Sequence, residues 1–133
     1  MFSGHATFAM YVPDIREALA FYTDKLGFRE IDDQSESEFP YATAALPDAS
    51  WRFVFVKPDL HGEELRERFQ AEIGFAPHFL LTTDDLNAEV KRLADKGVEV
   101  TSYPKLDANG MIQAHFKDHL GNEITLIATE SLF

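Results

Sequence analysis

Residues 14–28 read Asp-Ile-Arg-Glu-Ala-Leu-Ala-Phe-Tyr-Thr-Asp-Lys-Leu-Gly-Phe, and a related stretch at residues 85–98 reads Asp-Leu-Asn-Ala-Glu-Val-Lys-Arg-Leu-Ala-Asp-Lys-Gly-Val. The two stretches align when the sequence is shifted by the distance from Asp14 to Asp85, and we call this shift the module offset. Gly27 and Gly97 are separated by one residue less than this offset. A long period that occurs only twice indicates a duplicated module rather than a solenoid. Residues at matching positions of the two modules are therefore expected to contribute to a shared site.

Both stretches have the pattern of a helix with one apolar face. Asp14 and Glu17 have the spacing of a capping box at the start of the first helix. Gly27 and Gly97 follow the two helices, where a left-handed residue can close the last turn. The apolar residues recur at helical spacing, as Ile15, Ala18, Leu19, Tyr22 and Leu26 in the first helix and as Leu86, Val90 and Leu93 in the second.

Strands are predicted before and after each helix. In the first module they cover residues 5–12, 28–31, 41–46 and 51–57, and in the second residues 78–83, 98–101, 111–117 and 122–128. The linker, residues 58–77, contains a predicted short amphipathic helix around Glu63–Glu72. The sequence therefore predicts an α+β fold with two β-α-β-β-β modules, at residues 5–57 and 78–128, in a single domain spanning residues 1–133.

Composition restricts the classes of function. The chain has 23 acidic and 12 basic residues, a formal net charge of −11, which argues against nucleic acid or an anionic membrane surface as a partner and would favour a cationic ligand. The absence of cysteine excludes disulfides, thiolate metal ligands and cysteine nucleophiles within the chain. No signal peptide or membrane span is recognisable, so a soluble cytoplasmic protein is expected. Phosphate-loop, dinucleotide and Gly-x-Ser-x-Gly patterns are also absent, which argues against nucleotide chemistry and a serine nucleophile.

Two motifs resemble those of one protein family. The first is Phe-Tyr-Thr-Asp-Lys-Leu-Gly-Phe at residues 21–28, and the second is Phe-Lys-Asp-His-Leu-Gly-Asn-Glu-Ile-Thr-Leu-Ile at residues 116–127. With the module order, they resemble the vicinal oxygen chelate superfamily, which includes glyoxalase I, extradiol dioxygenases, fosfomycin-resistance enzymes and bleomycin-resistance proteins. The resemblance covers residues 5–128. His119-Leu120 replaces the family's usual Pro-Asp, which alters the turn without changing the strand order.

The resemblance implies curled modules that enclose a cavity, with a divalent metal held by the first and last strands of each module. The family's ligand positions match His78 and Thr125 in the second module, and the module offset places their counterparts at Thr7 and Val54. A divalent ion requires imidazoles and carboxylates, whereas valine offers no donor and neutral hydroxyls are poor ligands. No metal and no cofactor are therefore expected. An alternative metal site would gather His5, His78 and His115.

Several other side chains are candidates for contact with a ligand. Arg52 and Glu123 correspond under the module offset, and each lies two residues before an implied ligand position. The two side chains could pair with each other or lie in water at the cavity mouth. Alternatively, Arg52 could bind a carboxylate or phosphate of a ligand. The predicted ligand-binding set is Thr7, Arg52, Val54, His78, Gln113, His115, Glu123 and Thr125.

The function predicted from this resemblance is metal-independent binding of a small organic molecule, as in the bleomycin-resistance type. The ligand would be a cationic or aromatic antibiotic-like compound, whose sequestration confers antibiotic resistance, and the family implies a homodimer. One alternative is a metal-dependent lyase, isomerase or dioxygenase, or acid–base chemistry by His78, His115 or Glu123. Another is an interaction or sensor domain that has lost the site.

Overall fold

The computed structural model describes residues 1–131, without the side chains of His61 and Ser131. The chain divides into two compact units, Met1–Pro77 and His78–Phe133. Each unit contains one four-stranded sheet with a helix packed against it, which confirms the predicted α+β class and the order of elements. Among the described residues, no helix is both long enough and apolar enough to cross a membrane.

The first unit follows the predicted β-α-β-β-β order. Its elements are β1 (Ala6–Tyr11), α1 (Ile15–Ala20), β2 (Arg29–Gln34), β3 (Tyr41–Ala45) and β4 (Trp51–Val56), and a π-helical turn at Phe21–Lys25 extends α1. The sheet order is β1-β4-β3-β2, with β1 parallel to β4 and the other pairs antiparallel. A 3-10 turn (Pro58–His61) and helix α2 (Glu63–Gln70) follow β4, within the predicted linker.

The second unit repeats this arrangement. It consists of β5 (Leu80–Thr83), α3 (Leu86–Asp95), β6 (Glu99–Leu106), β7 (Ile112–Lys117), β8 (Glu123–Ala128) and a closing 3-10 turn (Thr129–Ser131). Its sheet order is β5-β8-β7-β6, with β5 parallel to β8. The sheets therefore match strand for strand.

The helices begin and end where the sequence predicts. The Asp14 carboxylate accepts a hydrogen bond from the Glu17 amide at 3.1 Å, which caps α1, and Asp85 caps α3 in the same way. Gly27 and Gly97 adopt φ angles of 82° and 83°, as expected for residues that close a helix. All eight residues of the two predicted apolar stripes are buried.

Aromatic side chains form the core of the first unit. Tyr22 is fully buried, and its ring contacts Phe28, Phe53 and Phe55 at centroid distances of 5.3–5.7 Å. Trp51 closes the cluster against Phe53. Because burial of large rings contributes strongly to stability, this cluster fixes α1 and its extension on one face of the first sheet.

Three strand boundaries differ from the prediction by two residues or more. β5 begins at Leu80 rather than at residue 78, so His78 precedes the strand. β2 and β6 both run further than predicted, because each contains a bulge after which pairing with the neighbouring strand resumes. The bulges fall between Glu30 and Asp32 and between Val100 and Ser102, so the duplication extends to this irregularity.

Candidate functional site

Each sheet has one face covered by its helix, and we call the opposite face the open face. In the first sheet, Phe53 and Phe55 pack against Tyr22, so the alternate residues Arg52 and Val54 lie on the open face. In the second sheet, the buried residues Ala114, Phe116, Ile124 and Leu126 define the covered face. Gln113, His115, Glu123 and Thr125 alternate with them and lie on the open face.

A polar cluster occupies the open face of the second sheet. Thr125 Oγ1 lies 3.2 Å from His115 Nδ1, since the two residues are directly opposite on β8 and β7. Glu123 Oε1 lies 3.8 Å from the same ring nitrogen. The Glu123 side chain is 53% exposed and that of His115 is 26% exposed, so both can reach a ligand.

Gln113 lies further along β7, and its side chain is held by a residue of the neighbouring turn. Its Nε2 donates to Asp107 Oδ2 at 2.9 Å, which fixes the orientation of the amide. The open face of the second sheet therefore carries an imidazole, a hydroxyl, an amide and an exposed carboxylate. Together these groups can accept and donate hydrogen bonds and attract a cation.

The open face of the first sheet carries a cation. Thr7 on β1 pairs with Arg52 on β4, and both side chains are exposed. Within residues 1–131, the Arg52 guanidinium makes no ion pair or side-chain hydrogen bond. In contrast, the nearest ionic partner of Glu123 is His115. Arg52 is thus available to an anionic group of a ligand.

The positions implied as metal ligands do not fit a divalent metal. Thr7 and Thr125 carry neutral hydroxyls, Val54 carries only methyl groups, and His78 lies in the segment before β5. Among the side chains that the structure describes, no three or more of His, Cys, Asp or Glu are grouped so that they could hold a metal ion. The alternative site of His5, His78 and His115 would join residues of the two units, and it stays a prediction.

Three further polar residues on the open face of the first sheet were not among the predicted site residues. They are Asp32, Tyr41 and Thr43. Tyr41 donates to Asp32 Oδ2 at 2.9 Å, and this hydrogen bond raises the pKa of the Tyr41 hydroxyl. Thr43 pairs with Val54 just as His115 pairs with Thr125, so Thr43 is the structural counterpart of His115. Thr43 and His115 are separated by one residue more than the module offset. The offset therefore pairs His115 with Ala44 and does not identify Thr43.

Helix α2 reaches one end of the same face. The rings of Tyr11 and Phe69 stack at a centroid distance of 4.4 Å. Tyr11 is buried, and burial together with the nearby Glu72 carboxylate raises its pKa. No residue of α2 is buried, so the stacked ring is a principal contact of this helix with the sheet.

The second family motif is explained by a buried turn. Asp118 Oδ1 accepts from the amides of Leu120 and Asn122 at 2.9 Å, and Oδ2 accepts from Asn122 Nδ2 at 2.9 Å. Gly121 adopts a φ of 90°, which suits glycine. These hydrogen bonds do not involve the side chains of His119 and Leu120, so the departure from the family's Pro-Asp leaves the strand order intact.

Comparison with known proteins gives a consistent result. Residues 4–126 match the model of the Glyoxalase/Bleomycin resistance protein/Dioxygenase superfamily. YurT, an uncharacterized protein of Bacillus subtilis (strain 168), is 30% identical over 122 residues, which are 90% of this chain and 94% of YurT.

Solved structures agree with the sequence comparison. TnmS3, an antibiotic-binding protein from Streptomyces sp. CB03234, is 29% identical, with a TM-score of 0.74 over 96% of both chains. A glyoxalase/bleomycin resistance protein from Streptomyces sp. CB03234 is 30% identical, with a TM-score of 0.68 over 92% of this chain and 98% of its own.

Proposed function

Because this chain belongs to the glyoxalase/bleomycin resistance protein/dioxygenase superfamily, we propose that it binds a small organic molecule without a metal ion. The observation that carries this proposal is the donor set at Thr7, Val54, His78 and Thr125. One imidazole, two hydroxyls and a hydrocarbon do not replace the hydration shell of a divalent cation. Each of these groups suits contact with an uncharged organic molecule, which requires apolar contact and a few directed hydrogen bonds.

The open faces supply groups that can orient such a molecule. His115 and Thr125 offer directed hydrogen bonds, Gln113 offers an amide, and the exposed Glu123 offers a negative charge. On the first sheet, Arg52 offers a positive charge that has no ion pair among the described side chains. The net charge of −11 favours a ligand that carries a cationic group elsewhere. We propose an antibiotic-like ligand that the protein sequesters, and similarity to an antibiotic-binding protein supports this class.

Titration with bleomycin tests the proposal directly. The single tryptophan, Trp51, packs against Phe53 on the covered face, so binding is followed by titration calorimetry, which should show a saturable heat. Glu123→Gln should weaken binding about fivefold, because an exposed charge contributes about 1 kcal/mol. Glu64→Gln on exposed α2 is the matched control and should leave affinity unchanged. Absence of binding at high micromolar bleomycin would remove the support for an antibiotic ligand.

Metal analysis separates this proposal from an enzyme of the same superfamily. Protein purified without chelator should contain no stoichiometric Ni, Zn, Mn or Fe. Stoichiometric metal that disappears in His78→Ala would overturn metal independence and favour a lyase, isomerase or dioxygenase. The homodimer implied by the family stays a prediction, which sedimentation of the purified protein would test.

A further inference from the structure

Thr43 lies in the middle of the open face of the first sheet. It pairs with Val54 on β4 and with Asp32 on β2. The residue is only 9% exposed, and its hydroxyl oxygen is buried without a hydrogen-bond partner in the part of the chain that the structure describes. Burial of a hydroxyl without a partner costs free energy, and proteins leave few such groups unsatisfied. An unpartnered hydroxyl on a prospective binding face therefore points to a group outside the chain.

The cross-strand neighbours of Thr43 do not hydrogen-bond its hydroxyl in the described part of the chain. Val54 presents only methyl groups. Both oxygens of Asp32 already accept hydrogen bonds, Oδ2 from the Tyr41 hydroxyl at 2.9 Å and Oδ1 from Gln34 Nε2 at 3.1 Å. The Asp32 carboxylate is thus oriented by Tyr41 and Gln34 rather than by Thr43.

The duplication provides an internal comparison. At the equivalent place in the second sheet, His115 is opposite Thr125 and the two side chains are 3.2 Å apart. The same cross-strand pair in the first sheet joins Thr43 to a valine. One module therefore satisfies this polar position internally, whereas the other leaves it for a ligand.

We propose that the Thr43 hydroxyl donates a hydrogen bond to an uncharged carbonyl or hydroxyl oxygen of the ligand. This inference rests on the proposed binding function and specifies the chemistry of one part of the ligand. Ala9 and Val54, which are paired on adjacent strands, contact the apolar surface that bears the oxygen. A carboxylate or phosphate is disfavoured here, because the position is nearly buried and the Asp32 carboxylate is adjacent.

A matched pair of probes tests the oxygen requirement. We choose 1-indanone and indane, which share a ring system and differ in the carbonyl, and we follow the amide signals of β3 and β4 by NMR. Wild-type protein should bind 1-indanone about fivefold more tightly than indane, as expected for one net hydrogen bond. Thr43→Val should lose this preference and Thr43→Ser should retain it. Thr101→Val, at the exposed bulge of β6, is the control and should keep it.

A stability measurement excludes a merely structural role. Without ligand, Thr43→Val should be at least as stable as the wild type, because the deleted hydroxyl has no partner in the described part of the chain. A clear loss of stability would show that the hydroxyl is satisfied within the protein, and it would overturn the inference.

The failure of this inference is distinct from the failure of the proposed function. If the wild type binds bleomycin but Thr43→Val keeps the preference for 1-indanone, only the role of Thr43 is refuted. A wild-type protein that shows no 1-indanone-dependent shifts on β3 and β4 would also refute that role. So would a water molecule that remains bound to Thr43 in a crystal of the 1-indanone complex.

Discussion

Replacement of Asp118 by alanine should destabilise the protein far more than the same replacement at Asp107. The two aspartates are matched, because each accepts two backbone amide hydrogen bonds on Oδ1 and one side-chain amide hydrogen bond on Oδ2. Each also lies three residues before a glycine with positive φ. They differ in environment, since Asp118 is 6% exposed and joins a buried Asn122, whereas Asp107 lies at a partly exposed turn.

The difference in burial sets the magnitude. A hydrogen bond to a charged acceptor contributes about 1.5–3 kcal/mol, and a buried donor left without a partner costs about 1–3 kcal/mol. In Asp118→Ala, the Asn122 amide and its side-chain nitrogen lose their acceptor in a buried place. We therefore expect a loss of about 4 kcal/mol in the free energy of unfolding. In Asp107→Ala, water replaces the carboxylate, so the expected loss is about 1 kcal/mol.

Urea unfolding followed by far-ultraviolet circular dichroism measures both losses, provided that the slope with urea concentration is unchanged. Thermal unfolding should show the same order, with a decrease in melting temperature of roughly 15 °C for Asp118→Ala. Equal losses for the two variants would refute the reasoning, because the number of hydrogen bonds rather than their burial would then determine the effect.

Three further predictions concern the first unit. Gly27→Ala should cost about 1–2 kcal/mol, because the φ of 82° is left-handed even though no atom of the described residues lies within 4 Å of the added Cβ. An unchanged urea midpoint would contradict this. Tyr22→Ala should cost about 3–5 kcal/mol through loss of the fully buried ring, whereas a cost below about 1 kcal/mol would show that the core collapses around the gap. Because the pKa of Tyr11 is raised in the folded state, this residue contributes stability below the unfolded pKa of about 10. That contribution is lost as pH rises through the folded pKa, so stability should fall less steeply above pH 10 in Tyr11→Phe. Parallel pH profiles for the two proteins would exclude this contribution.

Features that depend on short stretches of chain were predictable from sequence. The apolar spacing in α1 and α3 requires each helix to bury one stripe, and Asp14 and Asp85 cap them as their positions indicate. Gly27 and Gly97 end the helices because left-handed backbone is available to glycine at little cost. The family and the strand order follow from these signals and from the two motifs, all of which are local.

The relation between strands was decided by the tertiary structure. Val54 and Thr125 are separated by the module offset itself. Thr43 and His115 are separated by one residue more than the offset, and the two bulges by one residue less. A single offset therefore identifies the last strands correctly but misassigns the third ones. The bulge hydrogen bonds and the lengths of the intervening loops set these differences, and both depend on which strand lies alongside.

The sequence by itself determined that this protein is a duplicated β-α-β-β-β chain of the superfamily, and that valine and threonine occupy positions where a metal enzyme needs imidazoles and carboxylates. Only the tertiary structure placed Thr43 opposite Val54, with the Asp32 carboxylate hydrogen-bonded to Tyr41 and Gln34. The physical reason is that residue types are fixed by the chain alone, whereas the satisfaction of a buried polar group depends on neighbours that are distant in sequence.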